Sequence, residues 1–249
     1  MATAAMEVGM TPIGLRRRLT NSVMTGAAGA AVLLVLLPLG AIFDANRYTL
    51  QALLAGLGCE ISDLGILPDK ADSVRDALAA AAASHDLVMT SGGMSTGEED
   101  HVKAAVEASG SLHFWRLAIK PGRPVAMGQL GRVPFMGLPG NPVAVMVTFL
   151  LLARPLVLLL AGAQEAAPRL YRVRAGFDYK KKPNRTEYVR ARLTRAEDGG
   201  WIAEKFARDG AGILTSMVES DGLVEIGDGM TRLEPGMIVD FLPFSEVIP

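Results

Sequence analysis

The feature that most constrains this chain is a change of rhythm. From residue 44 to about residue 163, short apolar strand-like runs alternate with amphipathic helical runs. "DANRYTLQALLAGLG" places Tyr48, Leu50, Leu53, Leu54 and Leu57 at helical spacing and ends on Gly58, a suitable C-terminal cap. "CEISDLGIL" reads as a strand, "PDKADSVRDALAAAAASHD" as a helix capped by Asp69 or Asp72, and "DLVMT" as a buried strand. "EEDHVKAAVEASG" is a third helix and "SLHFWRLAI" a further strand. "KPGRPVAMGQLGRVPFMGLPG" holds two short strands around a glycine turn, and "NPVAVMVTFLLLARPLVLLLAG" is a long apolar helix. Strands that alternate with helices imply βαβ units, a parallel sheet and right-handed crossovers.

After Ala163 the segments shorten and several alternate: "YRVRAGFDY", "EYVRARLTR", "GWIAEKFA" and "GMIVDFLPF". Asp-Gly turn signals separate them, at Asp198-Gly199-Gly200, Asp209-Gly210, Asp221-Gly222 and Gly227-Asp228-Gly229. The expected organisation is an irregular segment over 1–20, an α/β domain over 21–163 with a three-layer, mostly parallel sheet, and a small all-β barrel over 164–249. Lys180, Lys181 and Lys182 crowd the start of the barrel, as a solvated turn or as a rim facing an anion.

Two apolar stretches invite a membrane reading. Residues 27–43 follow Arg16, Arg17 and Arg18 and are almost unbroken in apolarity. They fit a buried parallel strand over 32–37, an export or membrane signal, or a damaged N-terminus. The run over 142–163 is punctuated by Pro142, Arg154 and Pro155 and reads as a core or interface helix. A formal net charge of −1 removes the electrostatic case for nucleic acid. Cys59 is the only cysteine, so a disulfide within the chain is excluded and a reducing, cytoplasmic setting fits. His85, His101 and His113 show no metal-ligand spacing.

In open α/β sheets ligands bind beyond the carboxyl ends of the strands. Four loops leave such ends here: "FDAN" with Asp44 and Asn46, "LPDK" with Asp69, "TSGGMSTGEED" over 90–100, and "LPGNP" over 138–142. The third offers Ser91, Gly92, Gly93, Ser95 and Gly97 as an oxyanion cradle opening a helix. Its Glu98, Glu99 and Asp100 exceed what a helix dipole needs, and one of them suits Mg²⁺ held against a phosphate. "KPGRP" sets Lys120 and Arg123 on a stiff turn suited to an oxyanion. In "LPGNP", Pro139 and Gly140 make the turn, while Asn141 is placed to cap the helix that Pro142 begins.

Together "IFDANRY", "DLGILPDK", "TSGGMSTGEEDHVK", "FWRLAIKPGRP" and "GLPGNPVAVMVTF" resemble, in order and spacing, the molybdopterin molybdenumtransferase family. The resemblance covers about residues 40–162, and the last third is similar to that family's C-terminal barrel. It implies insertion of molybdate into adenylated molybdopterin with Mg²⁺ and release of AMP. It also implies that residues 91–97 and "LPGNP" hold the pterin phosphate and nucleotide. Asp69 and Asp100 would serve the metal and the hydrolysis, and Lys120 and Arg123 the molybdate.

Three departures stand against the family pattern. The place where members carry T-G-D-E-L reads "MTGAAGAAV", with Ala27 and Ala28 where acids are expected. Ala144 replaces a common serine. Members also carry further upstream domains, which help form the dimer and complete the partner's site. The expected partners are thus the pterin and the oxyanion, with a homodimer or a separate chain supplying the upstream part. The alternative function is a non-catalytic molybdopterin-binding module or scaffold.

Overall fold

The computed structural model describes residues 3–9, 44–68, 70–92 and 101–248. The first half contains β1 (Thr3–Gly9), α1 (Ala45–Gly56), β2 (Glu60–Leu67), α2 (Ala71–Ala82), β3 (Leu87–Ser91), α3 (His101–Ser109) and β4 (Gly110–Arg116). It continues with β5 (Ile119–Lys120), β6 (Pro124–Leu130), β7 (Val133–Leu138), α4 (Pro142–Thr148) and α5 (Arg154–Leu160). Strand order in its sheet is β2-β1-β3-β7-β6-β4.

Alternation along the strands sorts side chains onto two faces. Leu87, Met89, Met136 and Leu138 pack with α1 and α4 on one face, while Val88 and Phe135 pack with α2 and α3 on the other. The result is the expected helix–sheet–helix sandwich, but the sheet is mixed. Strands β2, β3, β7 and β4 run one way and β1 and β6 the other, so among the described residues β3–β7 is the one parallel neighbour pair in it. Two things cause this. The β6–β7 link is a two-residue turn, which only antiparallel strands can use. In addition, β1 sits between β2 and β3, antiparallel to both.

That strand corrects the expectation of irregular structure over 1–20. The crossover through α2 leaves β2 and β3 running alike with a slot between them, and unpaired backbone groups facing such a slot are costly. "TAAMEVG" fills it as an extended segment. Residues 10–43, including the apolar run 27–43, lie outside the described residues.

Local details also differ from the pattern. The cap of α2 falls on Lys70, without a side-chain bond, and Asp72 lies in the first turn instead. Tyr48 is 65% exposed rather than core, with the Arg47 guanidinium 5.7 Å from its ring centroid. The long apolar helix runs through a π-helical turn, Phe149–Ala153, into α5. A π turn absorbs the missing donor and the ring of Pro155 without ending the helix. Pro142–Leu160 is long and apolar enough to cross a bilayer, but Val143, Val147, Phe149, Leu150 and Val157 are buried in the protein core.

The second half contains β8 (Tyr171–Ala175), β9 (Tyr179–Lys180), β10 (Thr186–Arg195), β11 (Trp201–Lys205), α6 (Thr215–Val218), β12 (Gly222–Ile226), β13 (Arg232–Leu233) and β14 (Ile238–Pro243). The order β11-β8-β14-β12-β10 closes through a β10–β11 pairing into a five-stranded barrel. Its narrow interior takes Ala175, Ala191 and Ala203 beside Val224 and Phe241. Met217, Leu223, Leu242 and Val247 belong to the same core as α4 and α5, so one apolar interface joins the halves. A second junction is a strand pairing: β5 lies parallel to β10, with Lys120 opposite Glu187.

Candidate functional site between the two halves

The ends of β3 and β7 and the start of α1 converge. Asn46, 7% exposed, donates from Nδ2 to Ser91 Oγ and to the Gly140 carbonyl, each at 2.8 Å. Ser91 Oγ in turn donates to the Pro139 carbonyl at 3.3 Å. Gly92, at φ +76°, turns back so that its N–H reaches the Leu138 carbonyl at 3.1 Å. A Cβ built on Gly140 would lie 3.8 Å from Gly92 Cα, so the two loop backbones are in contact. Asp44 caps α1 through Oδ1, which accepts from Arg47 N–H at 3.3 Å. Its Oδ2 and Asn46 Oδ1 are buried acceptors without a partner among the described residues.

Asn141 departs from its expected role. Its side chain is exposed and makes no capping bond. Pro142 does begin the helix, and Val143 N–H at its first turn donates to the Ala211 carbonyl of the barrel half at 3.0 Å. A backbone carbonyl from the other half therefore serves one helix-start donor, and the Asn141 amide is left facing a cleft.

That cleft, of about 330 Å³, lies between the halves. Gly140 and Asn141 form part of its wall, so it is continuous with the loop cluster. Lys120, Arg123, Arg190, Lys205 and Arg208 line it, against the carboxylates of Glu187 and Asp209. The "KPGRP" turn is fixed by Leu117 N–H bonded to the Arg123 carbonyl at 3.0 Å and by Gly122 lying against α4. An excess of cationic side chains in a partly enclosed space suits a polyanionic ligand.

Residues 22–158, over half of the chain, match the family model described as "Probable molybdopterin binding domain". The chain belongs to the molybdopterin-binding domain family. Residues 172–244 match a second model, "MoeA C-terminal region (domain IV)". A molybdopterin molybdenumtransferase of Haemophilus influenzae is 37% identical over 210 residues, covering 84% of this chain and 52% of that protein. One from Nostoc sp. is 28% identical over 202 residues, covering 79% of this chain and 46% of its own length. The crystal structure of a molybdopterin biosynthesis protein from Pyrococcus horikosii superposes with a TM-score of 0.68 at 26% identity, covering 86% of this chain and 51% of that one. The chain thus spans about half the length of the curated relatives it matches.

In this member of the molybdopterin-binding domain family, the described loops bring Asp44, Asn46, Ser91, Gly92, Pro139 and Gly140 together. Lys120, Arg123 and Asn141 stand across the adjoining cleft. Asp69, Gly93, Ser95, Gly97, Glu98, Glu99 and Asp100 lie outside the described residues, as do Ala27 and Ala28.

The sequence offers the barrel's Lys180, Lys181 and Lys182 as a solvated turn or a rim facing an anion, but it does not single out Glu187 or Arg190. Glu187, 1% exposed at its side chain, accepts from Tyr179 OH at 2.7 Å, Arg185 Nε at 2.7 Å and Lys120 Nζ at 3.2 Å. Burial pushes its pKa up, but the bonds from Tyr179, Arg185 and Lys120 outweigh burial and hold it below the ordinary glutamate value. Burial, then the bond to Glu187, raises the Tyr179 hydroxyl, which stays protonated. Arg190, lowered by its burial, donates to Ser216 Oγ at 3.0 Å and to the Arg208 and Gly210 carbonyls at 3.4 and 3.2 Å. It thereby holds residues 208–210 against the cleft. The available signal was the charged pair Glu187 and Arg190 inside an otherwise alternating strand. Lys181, among the crowded lysines, is 9% exposed and donates to the Lys182, Arg185 and Asp228 carbonyls, which makes it a loop strut rather than a solvated charge.

Proposed function

We propose that this chain carries the chemistry of a molybdopterin molybdenumtransferase, inserting molybdate into adenylated molybdopterin with release of AMP. The observation that carries the reading is the junction through Gly140, where a glycine-rich loop cluster opens into a cation-lined cleft. Gly93, Ser95 and Gly97 are assigned to the phosphate, Ser91 and Gly92 brace the base of that loop through the Pro139 and Leu138 carbonyls, and Pro139, Gly140, Asn141 and Pro142 form the opposing edge. Lys120 and Arg123 hold the oxyanion. Asp44 and Asn46 order the loop cluster from the start of α1.

Mg²⁺ belongs to this proposal, with Asp69 and Asp100 as its ligands. Among the described residues no group of three or more His, Cys, Asp or Glu could hold a metal ion. The orphaned oxygens of Asp44 and Asn46 are the described acceptors suited to a hard cation or its water. When bound, the ion offsets phosphate charge beside the carboxylates. A homodimer, or a separate partner chain, completes the site in this reading. Cytoplasmic location is part of the same reading, with Cys59 a half-buried free thiol whose pKa burial raises.

Ala27 and Ala28, where relatives are expected to carry acids, favour a second reading: a binding module without turnover. The test is to incubate the purified chain with adenylated molybdopterin, molybdate and Mg²⁺ and follow AMP. Molybdate-dependent release supports the transferase. Ligand binding without release supports the binding module instead.

A further inference from the structure

Glu187 carries more positive charge than its own burial requires. Arg185 alone neutralises it, with Nε and Nη2 on Oε1 at 2.7 and 2.5 Å. Lys120 and Tyr179 then both bind Oε2. A carboxylate offers about four acceptor sites. All of them are used, and the side chain is almost wholly shielded from solvent. Glu187 therefore has no lone pair free to take a substrate proton or to ligate an ion. What remains is what it does to Lys120. That residue lies on a two-residue strand, opposite Glu187 in register, just before the turn that carries Arg123. Its ammonium has three N–H donors. One reaches Glu187, a second lies at the 3.5 Å limit from Tyr179 OH, and the side chain is half exposed on the cleft wall.

We propose that Glu187 is a positioning residue: its carboxylate, held by Tyr179 and Arg185, fixes the Lys120 ammonium so that its remaining N–H faces an oxyanion in the cleft. The inference rests on the oxyanion reading of Lys120 given above, and the sign of one substitution distinguishes it from simple electrostatics. Removing a negative charge beside an anion site should tighten anion binding if only the net charge matters. Losing the strut should loosen it.

The experiment is isothermal titration of the full chain with molybdate alone, for wild type, Glu187→Gln, Lys120→Met and the double variant, with thermal melts to confirm folding. Glu187→Gln is expected to weaken molybdate about tenfold, the scale of a lost charge-assisted bond. The double variant should then bind no more weakly than Lys120→Met. Unchanged or tighter binding by Glu187→Gln overturns the inference, as do fully multiplicative losses in the double variant. If Glu187→Gln does not fold, Tyr179→Phe decides: it removes one bond to the same oxygen and is expected to cost about threefold in affinity, and no loss overturns the inference. A wild-type chain that binds no molybdate overturns the oxyanion assignment of Lys120 itself, and the positioning role with it.

Discussion

Gly122 tests whether the cationic turn is locked by its packing. Its φ is +105°, a region that L side chains rarely adopt, and a Cβ there would meet Thr148 Cγ2 at 2.5 Å. Gly122→Ala should therefore incur two costs. Forcing a side chain into a left-handed conformation costs about 1–2 kcal/mol. Overpacking a buried contact adds about 1–3 kcal/mol. A total near 3 kcal/mol corresponds to roughly a 6–12 °C fall in Tm for a chain of this size. The apolar core spans both halves, so one cooperative transition should report it in calorimetry and in urea titration. The steric share can be separated. Thr148→Ser deletes Cγ2 but keeps the Oγ bonds to the Ala144 and Val145 carbonyls, at 2.7 and 3.1 Å in the parent. Alone it should cost about 1 kcal/mol for one buried methyl. Combined with Gly122→Ala it should restore part of the loss, because the clash is gone and only the backbone strain remains. A Gly122→Ala shift below about 2 °C, or strictly additive losses in the double variant, would refute the packing argument.

Asn46→Ala should destabilise the chain by about 1–3 kcal/mol in urea titration, because it strands the Gly140 carbonyl and removes the donor to Ser91 Oγ; a neutral result would mean that the loops hold together without it. Glu187 predicts a pH dependence. Its folded pKa lies below the unfolded value, so its contribution to stability is full above the ordinary glutamate range and is lost as pH falls through the lower folded value. Denaturation midpoints taken from about pH 6 to 2.5 should fall on acidification, and Glu187→Gln should flatten that slope. An identical slope in the variant would remove Glu187 as the titrating group.

Much of the architecture is local and was legible along the chain. Helical spacing in α1 and α2, the apolar run of β3 and the Asp-Gly turns of the barrel report their own conformation, because periodicity and turn chemistry act over a few residues. The rule that ligands gather at strand ends grouped four loops, of which hydrogen bonds join the start of α1 with the ends of β3 and β7, while Asp69 of the remaining loop lies outside the described residues. Periodicity tells which face a strand buries but not which strand it lies beside. Nothing local marked Thr3–Gly9 as the strand between β2 and β3, or β4 as the antiparallel neighbour of β6, although the two-residue turn at Gly131 and Arg132 did mark the β6–β7 hairpin. Asn141 shows the same limit at a single residue. Its sequence context suits a helix cap, yet the first-turn donor of Val143 is taken by the Ala211 carbonyl, 68 positions away.

By itself, then, the sequence determined an α/β half, a barrel half and the loops proposed to hold an anion, since each depends on residues within one or two turns. Only the tertiary structure decided the other wall of the adjoining cleft. Glu187 meets Lys120 across 67 positions because β5 pairs with β10, and Arg190 supports residues 208–210 because the barrel closes through β10–β11. Backbone pairing between distant strands chose those partners, and the charge of each residue acquired its role only from that choice.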